Sequence, residues 1–226
     1  MCIRDRAELE ETEKGTIVKL YVDARQNLAL ANTDQAAAAE YRLEATDSIN
    51  QRSQAREALE KIDSAKPMPL NVRGSIEELE KRKLDLENKV DAIQKQLTLA
   101  TEEPTRRRQR LLDFPQLEND AQTDLARVRQ QLATEAPEGD NPLLTRGRMV
   151  SLRTERQKLE RNLELLKVER DAYEASTGIF PLKQELKTKQ LANTNRELAA
   201  VVEAIGRLRE KEVDSLISQA LSLIHI

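Results

Sequence analysis

"SIEELEKRKLDLENKVDAIQKQLTLAT" (Ser75–Thr101) decides how the rest of the chain is read. Ile76, Leu79, Lys83, Leu86, Val90, Ile93, Leu97 and Ala100 follow one another in steps of three and four. Seven of those eight positions are apolar, so the stretch carries a heptad seam, the pattern with which one helix zips against another. Ser75 opens it, and Glu78 stands three residues on. That pair forms a capping box, in which each side chain satisfies a free backbone N–H of the first turn. A helix over these residues would be roughly 40 Å long at ~1.5 Å per residue.

Upstream, the proline- and glycine-bearing stretch "AKPMPLNVRG" (Ala65–Gly74) marks a boundary. Before it, a helical segment is expected over 7–64. Ile17, Tyr21, Ala24, Leu28 and Ala31, then Tyr41, Ala45, Ile49, Arg52, Ala55, Leu59 and Ile62, form its face. Alanine keeps this stripe thin, so the helix should pack closely against a neighbour or be weakly held.

Downstream, Pro104 and Pro115 predict an interruption between a helix over about 75–102 and another over about 115–134, with Leu117, Ala121, Leu125, Val128 and Leu132 as the second seam. "EAPEGDNPLL" (Glu135–Leu144) reads as a solvated loop that reverses the chain. The heptad returns over about 145–176 in Met149, Leu152, Arg156, Leu159, Leu163, Leu166, Arg170 and Tyr173. Gly178 and Pro181 then separate it from a last helix over about 180–217, lined by Leu182, Leu186, Leu191, Leu198, Ile205, Leu208 and Leu216. The expected fold class is all-α: elongated antiparallel coiled-coil hairpins or a helical bundle, with residues 75–217 as the hairpin region.

Composition agrees. Ala, Glu, Lys, Leu and Arg fill 121 of 226 positions and Phe, Tyr and Trp only five, which suits narrow helical stripes rather than a wide globular interior. Charged residues are 34% of the chain, yet the net is −3, without the basic field of a dedicated nucleic-acid binder.

The two ends read differently from the rest. "MCIRDR" (1–6) can be encoded by ATG-TGT-ATA-AGA-GAC-AGN and "LSLIHI" (221–226) by CTG-TCT-CTT-ATA-CAC-ATC, which are reverse complements over their shared length. Both resemble the flanks of a transposase sequencing adapter, and both are set aside from fold reasoning as artefacts. Cys2 and His225, the single cysteine and single histidine, lie in these ends. Without them the chain offers no thiol nucleophile, disulfide or histidine ligand, and the net charge becomes 35 − 39 = −4. On this reading the natural protein extends beyond the segment.

Candidate sites are few. "RRRQR" (Arg106–Arg110) could meet phosphate or an anionic lipid head group. No aromatic is interleaved for base stacking, and Glu102 and Glu103 stand nearby, so a solvated, locally balanced segment is the favoured reading. Lys83, Arg156 and Arg170 sit in seams. They either fix register or lay their stems along the seam with their heads in water, and the second reading is preferred. Glu10 with Glu11 has no implied pocket to tune it for acid–base work. Gly147 lacks the strand and spacing of a phosphate loop. No catalytic, cofactor-binding or metal-binding residue is therefore assigned, no cofactor, nucleic acid or small-molecule substrate is expected, and an enzyme is not expected.

Two stretches and the loop between them, "LATEEPTRRRQRLLDFPQLENDAQTDLARVRQQL" (99–132) and "RGRMVSLRTERQKLERNLELLKVERDAYEASTGIFPLKQELKTKQL" (146–191), resemble the N-terminal periplasmic helical ("porin") region of large MscS-like mechanosensitive channels of the KefA or MscK type. The likeness spans roughly Ile17–Leu216. It implies a bacterial envelope protein, on the periplasmic side of the inner membrane, whose pore and membrane helices lie C-terminal to this segment. It also implies partners: packing against other parts of the parent membrane protein, or self-association. The glycine- and alanine-rich pore helix of the family is absent, so no functional residue carries over. Two other readings stand beside it: the coiled-coil hairpin of an envelope efflux or secretion adaptor, and a cytoplasmic coiled-coil scaffold.

Overall fold

A computed structural model describes residues 11–64, 72–134 and 141–224. They form four helices: α1 (Glu11–Ser64), α2 (Ile76–Ala133), α3 (Pro142–Ser176) and α4 (Phe180–Ile224), with one 3-10 turn (Thr177–Ile179) between α3 and α4. No strand occurs among the described residues, and the chain is all-α. The helices make two compact units. The first holds the N-terminal part of α1, the C-terminal part of α2 and all of α3. The second holds the remainder of α1 and α2 with the 3-10 turn and α4.

In the first unit α2 runs antiparallel to α3, because Arg110 meets Glu169 while Arg127, farther along α2, meets Glu155. Helices α1 and α3 run parallel, with Glu13 beside Asn141 and Asp34 beside Asn162. Two apolar clusters fill it: Phe114, Leu166 and Tyr173, and Leu125, Val128 and Leu159. In the second unit α2 runs antiparallel to α4, with Glu80 beside Arg209 and Thr101 beside Gln184. Its core is Leu79, Leu86, Val201 and Ile205.

The capping box forms as its sequence dictates. The backbone N–H of Ser75 donates to Glu78 Oε2 at 2.8 Å, and that of Glu78 donates to Ser75 Oγ at 3.2 Å. Gly74 before it has φ +150°, where a Cβ would lie 3.0 Å from the same Glu78 Oε2. Asn141 caps α3, accepting from the N–H of Leu143 at 2.9 Å, so this helix starts at Pro142, three residues before the expected 145.

Several expectations change. The interruption over 103–114 is absent: α2 continues through both prolines for 58 residues. Each proline removes one helical bond, a cost of about 3 kcal/mol for an interior position. Pro115 is exposed, so water can solvate the freed carbonyl of Leu111 four residues earlier, and Phe114 beside it is fully buried and anchors the helix. The division into 7–64 and 75–217 is also not how the chain packs, because α1 and α2 each contribute to both units. Helix α4 runs to Ile224 rather than ending at 217, through a stretch with no proline or glycine.

The α1 face agrees in part. Ala24, Ala31, Ala55 and Leu59 of the expected face are buried, whereas Tyr21, Leu28 and Ile49 are exposed, and Ala38 and Ser48 are buried in addition. Small side chains let helices approach closely, and bulky ones are displaced from such a seam. The loop expected at Glu135–Leu144 is described only from 141 onward, the break at Ala65–Gly74 only from 72, and the end segment 1–6 lies outside the described residues.

Candidate functional site

Where Tyr41 and Glu44 of α1, Arg107 and Arg110 of α2, and Glu169, Tyr173 and Ser176 of α3 come together, the first unit carries a belt of polar groups. Heptad packing brings them there: Phe114 on α2 and Leu166 and Tyr173 on α3 are buried neighbours, and Tyr41 and Leu111 pack against them. Arginines a turn or so before Phe114 therefore turn across the helix interface.

Arg110 grips Glu169 with two parallel bonds, Nε to Oε1 and Nη2 to Oε2, both 3.0 Å. Such bidentate, charge-assisted pairs are the stronger hydrogen bonds of proteins. Glu169 is buried, and a carboxylate there is tolerable only with a cation on it. The hydrogen bond to Glu169 in turn raises the Arg110 pKa, so the guanidinium stays charged. Arg107 donates to Glu44 of α1 and, at 2.7 Å, to Ser176 Oγ of α3. Its guanidinium also lies 4.5 Å from the Tyr173 ring centroid, in cation–π range. Tyr41 and Tyr173 share a hydroxyl–hydroxyl bond of 3.3 Å and pack edge to face with centroids 5.7 Å apart. Burial, then the bond to Tyr41, pushes the Tyr173 hydroxyl well above the ordinary tyrosine value.

The basic run Arg106–Arg110 is thus taken apart by the fold. Arg107 and Arg110 face other helices, Arg106 pairs with Glu103 of its own helix at 2.8 Å, and Arg108 is exposed. Of the charged seam residues, Arg170 reaches Glu118 of α2 at 2.8 Å. Lys83 and Arg156 pair within their own helices, with Glu87 and Glu160, both at 3.7 Å. Glu11 begins α1, while Glu10 lies outside the described residues. Gly147 is buried against α1: a Cβ there would lie 3.3 Å from Leu20 Cδ1, so this glycine permits close helix approach.

Glu169 was missed by spacing alone. The heptad count places Arg170 in the seam, but after Leu166 the buried positions are Glu169, Ala172, Tyr173 and Ser176, so the step from Leu166 is three where the heptad expects four. The available signal was a glutamate among heptad leucines within reach of a facing arginine run.

One open groove in this unit, about 400 Å³, is lined by Leu30, Asp34, Leu117, Asp120, Asp124 and Lys158. Its acids already have partners: Asn162 on Asp34, Gln116 on Asp120, Arg127 on Asp124. Among the described residues no group of three His, Cys, Asp or Glu is placed to hold a metal ion. The belt consists of reciprocally paired groups, and its chemistry is that of a clasp between helices.

A family model described as the mechanosensitive ion channel porin domain matches residues 3–223. No curated protein and no solved structure matches the chain. Among the described residues no helix is long and apolar enough to cross a membrane.

Proposed function

Because the chain belongs to the mechanosensitive ion channel porin domain family, we propose that it is a structural, periplasmic domain of a larger channel protein, supporting the assembly while other segments conduct. The observation that carries this reading is the family match over residues 3–223, nearly the whole chain. The "porin" of the family description does not correspond to strands here, since the described residues are helical.

The physical character of the helices fits such a part. Within each unit, long seams of small contacts tied by ion pairs between helices suit a supporting part. We read the domain as non-enzymatic, because the charged groups that converge in the belt satisfy one another. Its partners on this reading are other parts of the same membrane protein or further copies of it.

A topology reporter tests the location. Alkaline phosphatase fused within the parent protein beside this segment should be active, as befits an oxidising compartment, and a green fluorescent protein fusion exported at the same point should be dark. The reverse pattern would place the domain in the cytoplasm and overturn the reading.

A further inference from the structure

The apolar stripes of α1 and α3 in the first unit carry little information about register. On α1 the buried positions repeat one side chain at intervals of seven: Ala24, Ala31 and Ala38 are buried and Ala45 half-buried. On α3, Leu152, Leu159 and Leu166 repeat at the same interval, and on α2 so do Leu125 and Leu132, with Leu111 two heptads before Leu125. Sliding one helix past another by seven residues, about 10 Å at 1.5 Å per residue, would exchange alanine for alanine on α1 and leucine for leucine on α3, whereas on α2 it would bring Glu118 to the place of a leucine and interchange the unlike buried residues Phe114, Ala121 and Val128. The unequal side chains of α2 oppose a slip of that helix, but the α1 and α3 stripes alone cannot forbid one.

The belt can. It supplies one polar tie for each of the three helix pairs at a single level: Glu44 with Arg107 between α1 and α2, Arg110 with Glu169 between α2 and α3, and Tyr41 with Tyr173 between α1 and α3. The residues one heptad away from the charged partners do not repeat their charge. Seven positions from Arg110 on α2 stand Glu103 and Leu117, so a slip sets the buried Glu169 carboxylate against a like charge or an apolar side chain. Seven positions from Arg107 stand Ala100 and Phe114, and seven from Glu44 stand Ala37 and Gln51. Ala37, Ala100 and Phe114 have no hydrogen-bonding side chain, and Gln51 can accept a bond but brings no charge. A buried carboxylate stripped of its cation carries the full desolvation penalty.

We propose that this belt is the register lock of the first unit: Glu44, Arg107, Arg110 and Glu169 select one alignment of α1, α2 and α3 among heptad-shifted alternatives that the alanine and leucine stripes of α1 and α3 do not by themselves exclude. These are positioning residues. Their effect is on which alignment forms, and only secondarily on how stable it is. The inference concerns this chain alone and stands whether or not the domain is periplasmic.

The test measures alignment directly. Spin labels are placed at Gln116 of α2 and Gln157 of α3, both exposed, in the full chain carrying Cys2→Ser, and their separation is read by pulsed electron–electron resonance. The parent chain should give one narrow distance. With Glu44→Leu, Arg107→Leu, Arg110→Leu and Glu169→Leu combined, helical content should persist by circular dichroism while the distribution splits, with new populations displaced by up to about 10 Å. A single unchanged distance in that variant would overturn the proposal. Should the leucine variant not fold, a second comparison decides. Glu169→Arg alone should lose the single native distance, and Arg110→Glu with Glu169→Arg should restore it. Retention of the native distance by Glu169→Arg, or failure of the swap to restore it, would equally overturn the proposal.

Discussion

Arg110 and Glu169 lie 59 positions apart in sequence and meet through two 3.0 Å bonds, the carboxylate buried and the guanidinium half-exposed. Removing one partner leaves the other with an unmet charge, and hydrogen bonds to charged groups contribute about 1.5–3 kcal/mol. Glu169→Ala should therefore lower stability by about 2 kcal/mol in urea denaturation. Replacing both partners by leucine should recover most of that loss, since an apolar pair of suitable size incurs no desolvation penalty. An additive double variant would show that the pair is not coupled.

The start of α2 depends on three adjacent features: Gly74, Ser75 and Glu78. Ser75→Ala should cost about 1 kcal/mol by loss of the cap. Gly74→Ala should also destabilise, because its φ of +150° is unfavourable for a side chain and the new Cβ would press on the Glu78 carboxylate. Thermal unfolding followed at the helical circular dichroism band measures both, and a Ser75→Ala variant as stable as the parent would refute the capping assignment.

Two leucines that obey the same heptad logic should behave in opposite ways. Leu79 is buried in the core of the second unit, whereas Leu216 is 59% exposed. Leu79→Ala should cost about 2–5 kcal/mol and Leu216→Ala less than about 0.5 kcal/mol. Gly206, also on α4, has nothing within 4 Å of a built Cβ, so Gly206→Ala should stabilise by about 0.5–1 kcal/mol. Denaturant midpoints of the three variants give the order directly.

Tyr173 and Glu164 fix the pH dependence with opposite signs. Burial raises the Tyr173 pKa above its ordinary 10.0, so its stabilising effect is complete below pH 10 and is lost as pH rises past that value, where the unfolded chain ionises first. The bonds from Arg161 and Arg42 lower the Glu164 pKa from 4.5, so its contribution is present above about pH 4.5 and is lost as pH falls through the lowered value. Ultraviolet absorbance titration should show Tyr173 ionising above the ordinary tyrosine value. Tyr173→Phe should abolish that delayed step, and Glu164→Gln should flatten part of the acid limb. Ionisation of Tyr173 near pH 10 in the folded chain would contradict the burial argument.

Much of the fold is readable from residue spacing. Every seam position expected over Ile76–Ala100 is buried or half-buried, because large aliphatic side chains at strict three–four steps leave a helix only one face to hide. Where side chains are small, spacing is right only in part: on α1 it finds Ala24, Ala31, Ala55 and Leu59, which are buried, but also Tyr21, Leu28 and Ile49, which close helix approach leaves exposed, and it passes over Ala38 and Ser48. The two prolines of α2 look like stops because local chemistry disfavours them, and tertiary packing around Phe114 overrides that preference. The polar belt was half legible. The arginine run is obvious in sequence, but its partners Glu44 and Glu169 come from other helices, and only the packing identifies which of many glutamates they are.

Single-channel recording of the parent channel carrying Glu169→Ala tests the supporting role most directly. If the domain shapes the assembly without lining the conducting path, unit conductance and ion selectivity will match those of the unaltered channel, while the tension needed for opening, or the number of assembled channels, changes. A changed unit conductance or selectivity, with assembly and opening tension unaltered, would place this domain in the path of the ions and contradict the account.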